Sequence, residues 1–146
     1  MKKYLFLVLL LFFSHCTTVI QGEFQSKGKS VIDFQFTPTR CYSGERLQFH
    51  GVILLDQNPN GIRITGIEDQ FLGKIIKIRI PSLCQTEDDC EEIFLSKKVC
   101  SKYKFQIQPT NVRINSIRAI KGNLELECNL PNGSILSGKS NFEYCY

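Results

Sequence analysis

Few residue types in this 146-residue chain could do chemistry. Cys41, Cys84, Cys90, Cys100, Cys128 and Cys145 could bind a metal, act as nucleophiles or pair as disulfides. No C-x-x-C occurs, and His50 is the only histidine beyond the first twenty residues, so the usual tetrahedral zinc donor set is missing. His50 has no motif around it that would make it a general base, and a strand histidine is the simpler reading. Glu87, Asp88, Asp89, Glu91 and Glu92 form an acidic cluster. They lack the alternate ligand positions and turn glycine of a calcium loop, and read as a solvated loop. Asn132-Gly-Ser is a glycosylation sequon inside the turn-forming "PNG". A hydrolase of this size needs a nucleophile with a base, a carboxylate pair or a metal, and no such set is visible. The expectation is a non-enzymatic protein without a cofactor.

The N-terminus supplies the compartment. Lys2 and Lys3 precede the uncharged "YLFLVLLLFF", the length of a secretory h-region and short for a membrane span. Cleavage after Cys16 or after Gly22 fits the polar stretch that follows, and the later cut is preferred. This divides the chain into a signal peptide, 1–22, and one domain, 23–146. Acylation of Cys16 is disfavoured because His15 stands where a lipobox wants a small residue. Without Lys2 and Lys3, the 18 basic residues become 16 against 14 acidic ones. That balance is too mild, and too scattered, for a nucleic-acid partner. Removing Cys16 from seven cysteines leaves an even six, which in an exported chain implies disulfides whose pairing the sequence cannot choose.

These residues must be held by strands. Period-two alternation runs through Ile32, Phe34 and Phe36, then Ile62 and Ile64, then Ile76, Ile78 and Ile80. It returns at Tyr103, Phe105 and Ile107, at Val112 and Ile114, at Leu124, Leu126 and Cys128, and at Phe142, Tyr144 and Tyr146. Leu47 and Phe49 open another apolar run through "GVILLD". The five prolines fall between runs, and only "EEIFLSKKVC" could make a helical turn or two. The sum is about eight short strands in an antiparallel β-sandwich, Ig-like or cup-like, carrying disulfides. Phe34, Phe36, Phe49, Ile64, Phe71, Ile76, Ile78, Phe105, Ile107, Leu126 and Phe142 face between the sheets, where they fill a core or line a cavity.

A strand ending in "IKIRIP" followed by "CQTEDDC" resembles the middle of the ML lipid-recognition superfamily and the related cup-shaped ganglioside activator family. "VIDFQFTPTRCYSGERLQFHGVI", with Pro38, Gly44 and Gly51, is similar to the opening strands of that group. "KGNLELECNLPNGSILSGKSNFEY" is similar to its last hairpin. The resemblance implies a Cys84–Cys90 disulfide and leaves the other four cysteines to pair in some variant way. It also implies a secreted or lysosomal protein that carries an acyl chain, sterol or glycolipid in an apolar cavity. Transient contact with a membrane surface goes with that role, as does a protein partner such as a hydrolase or receptor. From a different class, the same strands suit an adhesion or effector module that binds a protein through its loops.

Overall fold

The computed structural model describes residues 17–28, 34–57, 61–65, 72–76, 93–96, 98–131 and 133–146. Two five-stranded antiparallel sheets face each other. Sheet one has the order β2-β1-β10-β9-β8, built from β1 (Val19–Lys27), β2 (Phe34–Phe36), β8 (Cys100–Ile114), β9 (Ile117–Asn129) and β10 (Ile135–Cys145). Sheet two has the order β3-β4-β5-β6-β7, from β3 (Arg40–Ser43), β4 (Gly51–Leu55), β5 (Gly61–Thr65), β6 (Leu72–Ile76) and β7 (Ile93–Leu95). The chain is an all-β antiparallel sandwich.

Alternation produces this packing directly. Along β9, Leu124, Leu126 and Cys128 are buried while Glu127 is exposed; along β10, Leu136, Ser140 and Phe142 are buried while Lys139 and Asn141 are exposed. Phe24 of β1 sits opposite both Gly138 of β10 and Phe36 of β2. The rings of Phe24 and Phe36 lie 5.7 Å apart at 36°. On the outer face the same register aligns Glu23, Lys139, Glu125 and Lys104 across four strands, so that charge alternates from strand to strand. Opposite charges on facing strands reinforce the register that the apolar face selects. From sheet two, Val52, Leu54, Ile62, Ile64 and Leu95 complete the core.

Several expectations change. The runs 103–107 and 112–114 merge into the single strand β8, and β1, β3 and β7 were not foreseen, giving ten strands among the described residues. "EEIFLSKKVC" contributes β7 rather than a helical turn, since Ile93 and Leu95 are buried with Phe94 outward, a strand's alternation. Leu47 and Phe49 do not begin β4. Gly44–Leu47 is a short 3-10 helix whose Ser43 cap accepts a hydrogen bond from the Glu45 N–H, and Gln48 ends it in the left-handed region. Pro109 lies inside β8. Because β8 is the outer strand of its sheet, a residue without an N–H is tolerated there. At the C-terminus a bulge between Phe142 and Cys145, with Tyr144 at φ 58°, turns both Phe142 and Cys145 inward, so Tyr144 and Tyr146 do not continue the alternation.

That bulge brings Cys145 to Cys41, joining the two sheets, with Cα atoms 5.1 Å apart. Cys100 and Cys128, directly opposite on β8 and β9, form a second disulfide. Bonds of this kind fit an oxidising compartment. No helix among the described residues is long and apolar enough to cross a membrane. β1 runs across the expected cut after Gly22, with Val19–Gly22 paired to residues 140–143 of β10.

Candidate ligand-binding concavity

A concavity of about 430 Å³ opens where the edge of sheet one meets the 3-10 segment beside β4. One wall is Ile107 and Pro109 of β8 with Arg118 and Ile120 of β9. The facing wall is Phe49, with Glu45, Gln48 and His50 around it and Ser43 and Gly51 behind.

Each wall is fixed by local chemistry. Phe49 donates its N–H to the Gly44 carbonyl at 3.0 Å, which folds the chain back after the 3-10 turn. A Cβ at Gly44 or Gly51 would collide with the Phe49 ring, so the ring packs closely only because both positions lack one. The Arg63 guanidinium stacks on that ring, 4.1 Å from its centroid, and holds it in place. On the other wall β8 has a register shift between Pro109 and Arg113. Thr110 supports this bulge: its hydroxyl donates to the Ala119 carbonyl at 2.9 Å and accepts the Val112 N–H at 3.2 Å. The two walls are tied together by the Arg118 backbone N–H, which donates to Glu45 Oε2 at 3.0 Å. The result is an apolar floor of Phe49, Ile107, Pro109 and Ile120 beneath a polar rim.

The residues expected to face between the sheets are divided by the structure. Phe49 and Ile107 meet at the concavity. Phe36, Ile64, Phe105, Leu126 and Phe142 belong to the packed core, with 0–4% of their surface accessible. Phe34 and Ile76 lie on β2 and β6. Phe71, Ile78, Cys84, Cys90, the acidic cluster and Asn132 lie outside the described residues.

Sequence reasoning missed Glu45, Pro109, Arg118 and Ile120. Pro109 was visible as a proline between two alternating runs, a spacing that also fits a bulged edge strand. Nothing local marked Glu45 or Arg118, which meet across 73 residues. His50 stands on the rim and is exposed. Among the described residues no group of three or more His, Cys, Asp or Glu side chains converges on a metal position. A second concavity, about 330 Å³ on the outer face of sheet one, is bordered by Glu23, Lys102, Glu125 and Lys139 and belongs to the charged rows of that face.

The chain matches no family model, no curated protein and no solved structure.

Proposed function

We propose that this chain is an exported lipid-binding and transfer protein that shelters the apolar part of an amphiphile in the inter-sheet concavity. The observation that carries this reading is the apolar floor of Phe49, Ile107, Pro109 and Ile120 under a polar rim, in a space of about 430 Å³. That volume falls within the ~300–1,000 Å³ of ligand sites. Burial alone can drive such binding. At about 0.8 kcal/mol per methylene, micromolar affinity, near −8 kcal/mol, requires roughly ten methylenes before ordering costs. No reacting group is called for. The export signal, the disulfides and the resemblance of "CQTEDDC" to the lipid-recognition superfamily point the same way, toward a secreted or lysosomal setting and, by the same resemblance, delivery of lipid to a hydrolase or receptor.

The test is direct. Organic extracts of the purified protein should yield a stoichiometric lipid by mass spectrometry, and a fluorescent fatty acid should compete with it. Extracts without lipid, together with failure to bind fatty acid, sterol and glycolipid probes, would overturn the reading.

The packed core favours a second reading on a specific observation. Leu54, Ile62, Ile64, Leu124 and Leu126 are fully buried, and Phe94 projects from the edge strand β7 with 65% of its surface exposed. A solid sandwich with an exposed edge aromatic suits a module that binds a protein partner. Retention of a specific protein by the lipid-free chain, lost in Phe94→Ser, would support it.

A further inference from the structure

The hairpin that forms one wall of the concavity carries charge in an arrangement that, among the described residues, does not occur on the outer face of its own sheet. There, Glu23, Lys139, Glu125 and Lys104 alternate in sign. At the hairpin tip, Arg113 and Arg118 are directly opposite each other, and both are exposed. Like charges on facing positions oppose strand pairing, so the fold gains nothing from this pair. Arg113 Nη1 donates to the Ser116 carbonyl at 3.3 Å, and the Arg118 guanidinium has no hydrogen bond or ion pair among the described residues. Glu45, the acid on the same rim, is engaged by the Arg118 backbone N–H rather than by its guanidinium.

Beside them the 3-10 helix presents Leu47, 56% exposed, next to the exposed Arg46. The hairpin and this helix are fastened to each other by the Arg118–Glu45 bond. Arg118 lines the concavity, and it is flanked by its facing partner Arg113 and by Leu47, the chain neighbour of the lining residue Gln48. Val112, Ile114 and Ile117 on the same tip are only partly buried. Unmatched guanidinium groups beside an exposed aliphatic side chain complement a surface with phosphates outside and hydrocarbon beneath. Arginine binds phosphate in a bidentate fashion, and a leucine gains by entering the acyl boundary.

We infer that the tip of the β8–β9 hairpin, through Arg113 and Arg118, together with Leu47, is a docking surface for an anionic lipid bilayer that sets the mouth of the concavity against the membrane. This rests on the lipid-binding reading of the concavity and names where the lipid is exchanged. The site sits at the rim, so an amphiphile could move between bilayer and protein without crossing bulk water.

The experiment is vesicle co-sedimentation of the full chain with phosphatidylcholine vesicles and with the same vesicles containing phosphatidylserine. Binding should require phosphatidylserine and weaken as salt is raised, because surface charge attraction is screened. Neutralising each arginine, as Arg113→Gln and Arg118→Gln, should weaken binding about fivefold, and Leu47→Asn should weaken it further. All three positions are exposed, and circular dichroism checks each variant. The salt titration needs no variant at all. Equal binding to neutral vesicles, insensitivity to salt, or full binding by the folded double-arginine variant would overturn the proposal. Binding of a soluble fluorescent fatty acid, measured without vesicles, separates the two readings. Vesicle docking weakened in Arg113→Gln and in Leu47→Asn, neither of which lines the concavity, with fatty-acid binding intact confirms that the tip docks and the concavity holds. Lipid-free extracts, together with failure of the unmodified chain to bind fatty acid, sterol and glycolipid probes, refute the lipid-binding reading itself, whatever the vesicles show.

Discussion

Gly51 shows how a single atom shapes the concavity. Its φ is +154°, and a Cβ there would strike the Ile64 carbonyl oxygen across the β4–β5 ladder as well as the Phe49 ring. Gly51→Ala should therefore destabilise the fold by about 1–3 kcal/mol, the usual cost of a residue forced into such a conformation, read as a lower urea midpoint at unchanged m. Opposite it, Ile107 is half-buried on an edge strand, so a carboxylate can be placed there with little damage to the core. Ile107→Asp should abolish fatty-acid binding while the circular dichroism spectrum stays native, because a carboxylate in an acyl-chain site must be desolvated or protonated. His50→Ala should bind as the unmodified chain does, since burial asks nothing of an imidazole. Lys102 and Glu125 make a salt bridge on the outer face, with Nζ 2.6 Å from Oε1. Their hydrogen bond raises the Lys102 amine and lowers the Glu125 carboxyl from their ordinary values. The carboxyl's contribution is present above its unfolded pKa and fades as pH falls through the depressed folded value. The amine's contribution is present below its unfolded pKa and fades as pH rises through the raised one. The stability difference between the unmodified chain and Glu125→Gln should thus be flat around neutrality and vanish in acid. The pair is partly exposed, so that difference is small.

Among the elements, β1 carries the clearest consequence. Nine residues pair with β10, and four of those pairs, Val19 to Gly22, precede the processing site preferred from the sequence. Cleavage after Cys16, the other site compatible with the leader, leaves the strand whole. Thr18 would then keep the hydrogen bond from its hydroxyl to the Tyr144 carbonyl at 3.3 Å. Edman sequencing of protein collected from the culture medium should accordingly begin at Thr17. A chain made to start at Glu23 should show faster amide exchange at Asn141 and Glu143, which face the lost residues. β8 offers a different lesson. As a fifteen-residue outer strand it could template pairing with another chain, but Lys102, Lys104, Pro109 and the bulge after Pro109 interrupt its free edge.

For the molecule as a whole, the Cys41–Cys145 bridge joins the two sheets across 104 residues of chain, whereas Cys100–Cys128 joins adjacent strands across 28. Loop-closure entropy assigns about 4.7 kcal/mol to the first and about 3.6 to the second in the chain-entropy model. Replacing Cys41 and Cys145 with serine should lower stability by about 2–5 kcal/mol, and by more than the corresponding change at Cys100 and Cys128. Paired denaturant titrations of the two double variants, under conditions that leave the remaining bridge oxidised, make the comparison.

The sequence by itself determined the sandwich. Leu124, Leu126 and Cys128 against Glu125 and Glu127 can satisfy burial only as a strand with one face inward, and the same holds for Ile62 and Ile64 around Arg63. It also pointed to paired cysteines, and four of the six do pair, as Cys41–Cys145 and Cys100–Cys128. Partner choice came from tertiary structure, because Cys145 turns inward only through the bulge at Tyr144, a backbone conformation that alternation does not encode. β1 was hidden since Val19–Gly22 reads as the polar end of a leader, and only the unpaired edge of β10 makes it a strand. The separation of core from concavity was equally beyond local pattern. Phe105 and Ile107 are two residues apart on one strand and chemically alike, yet Phe105 is covered by the opposite sheet, while Ile107 lines the open space beside the 3-10 turn. Side-chain period says which face a residue occupies; where the second sheet ends is settled only when both sheets are packed.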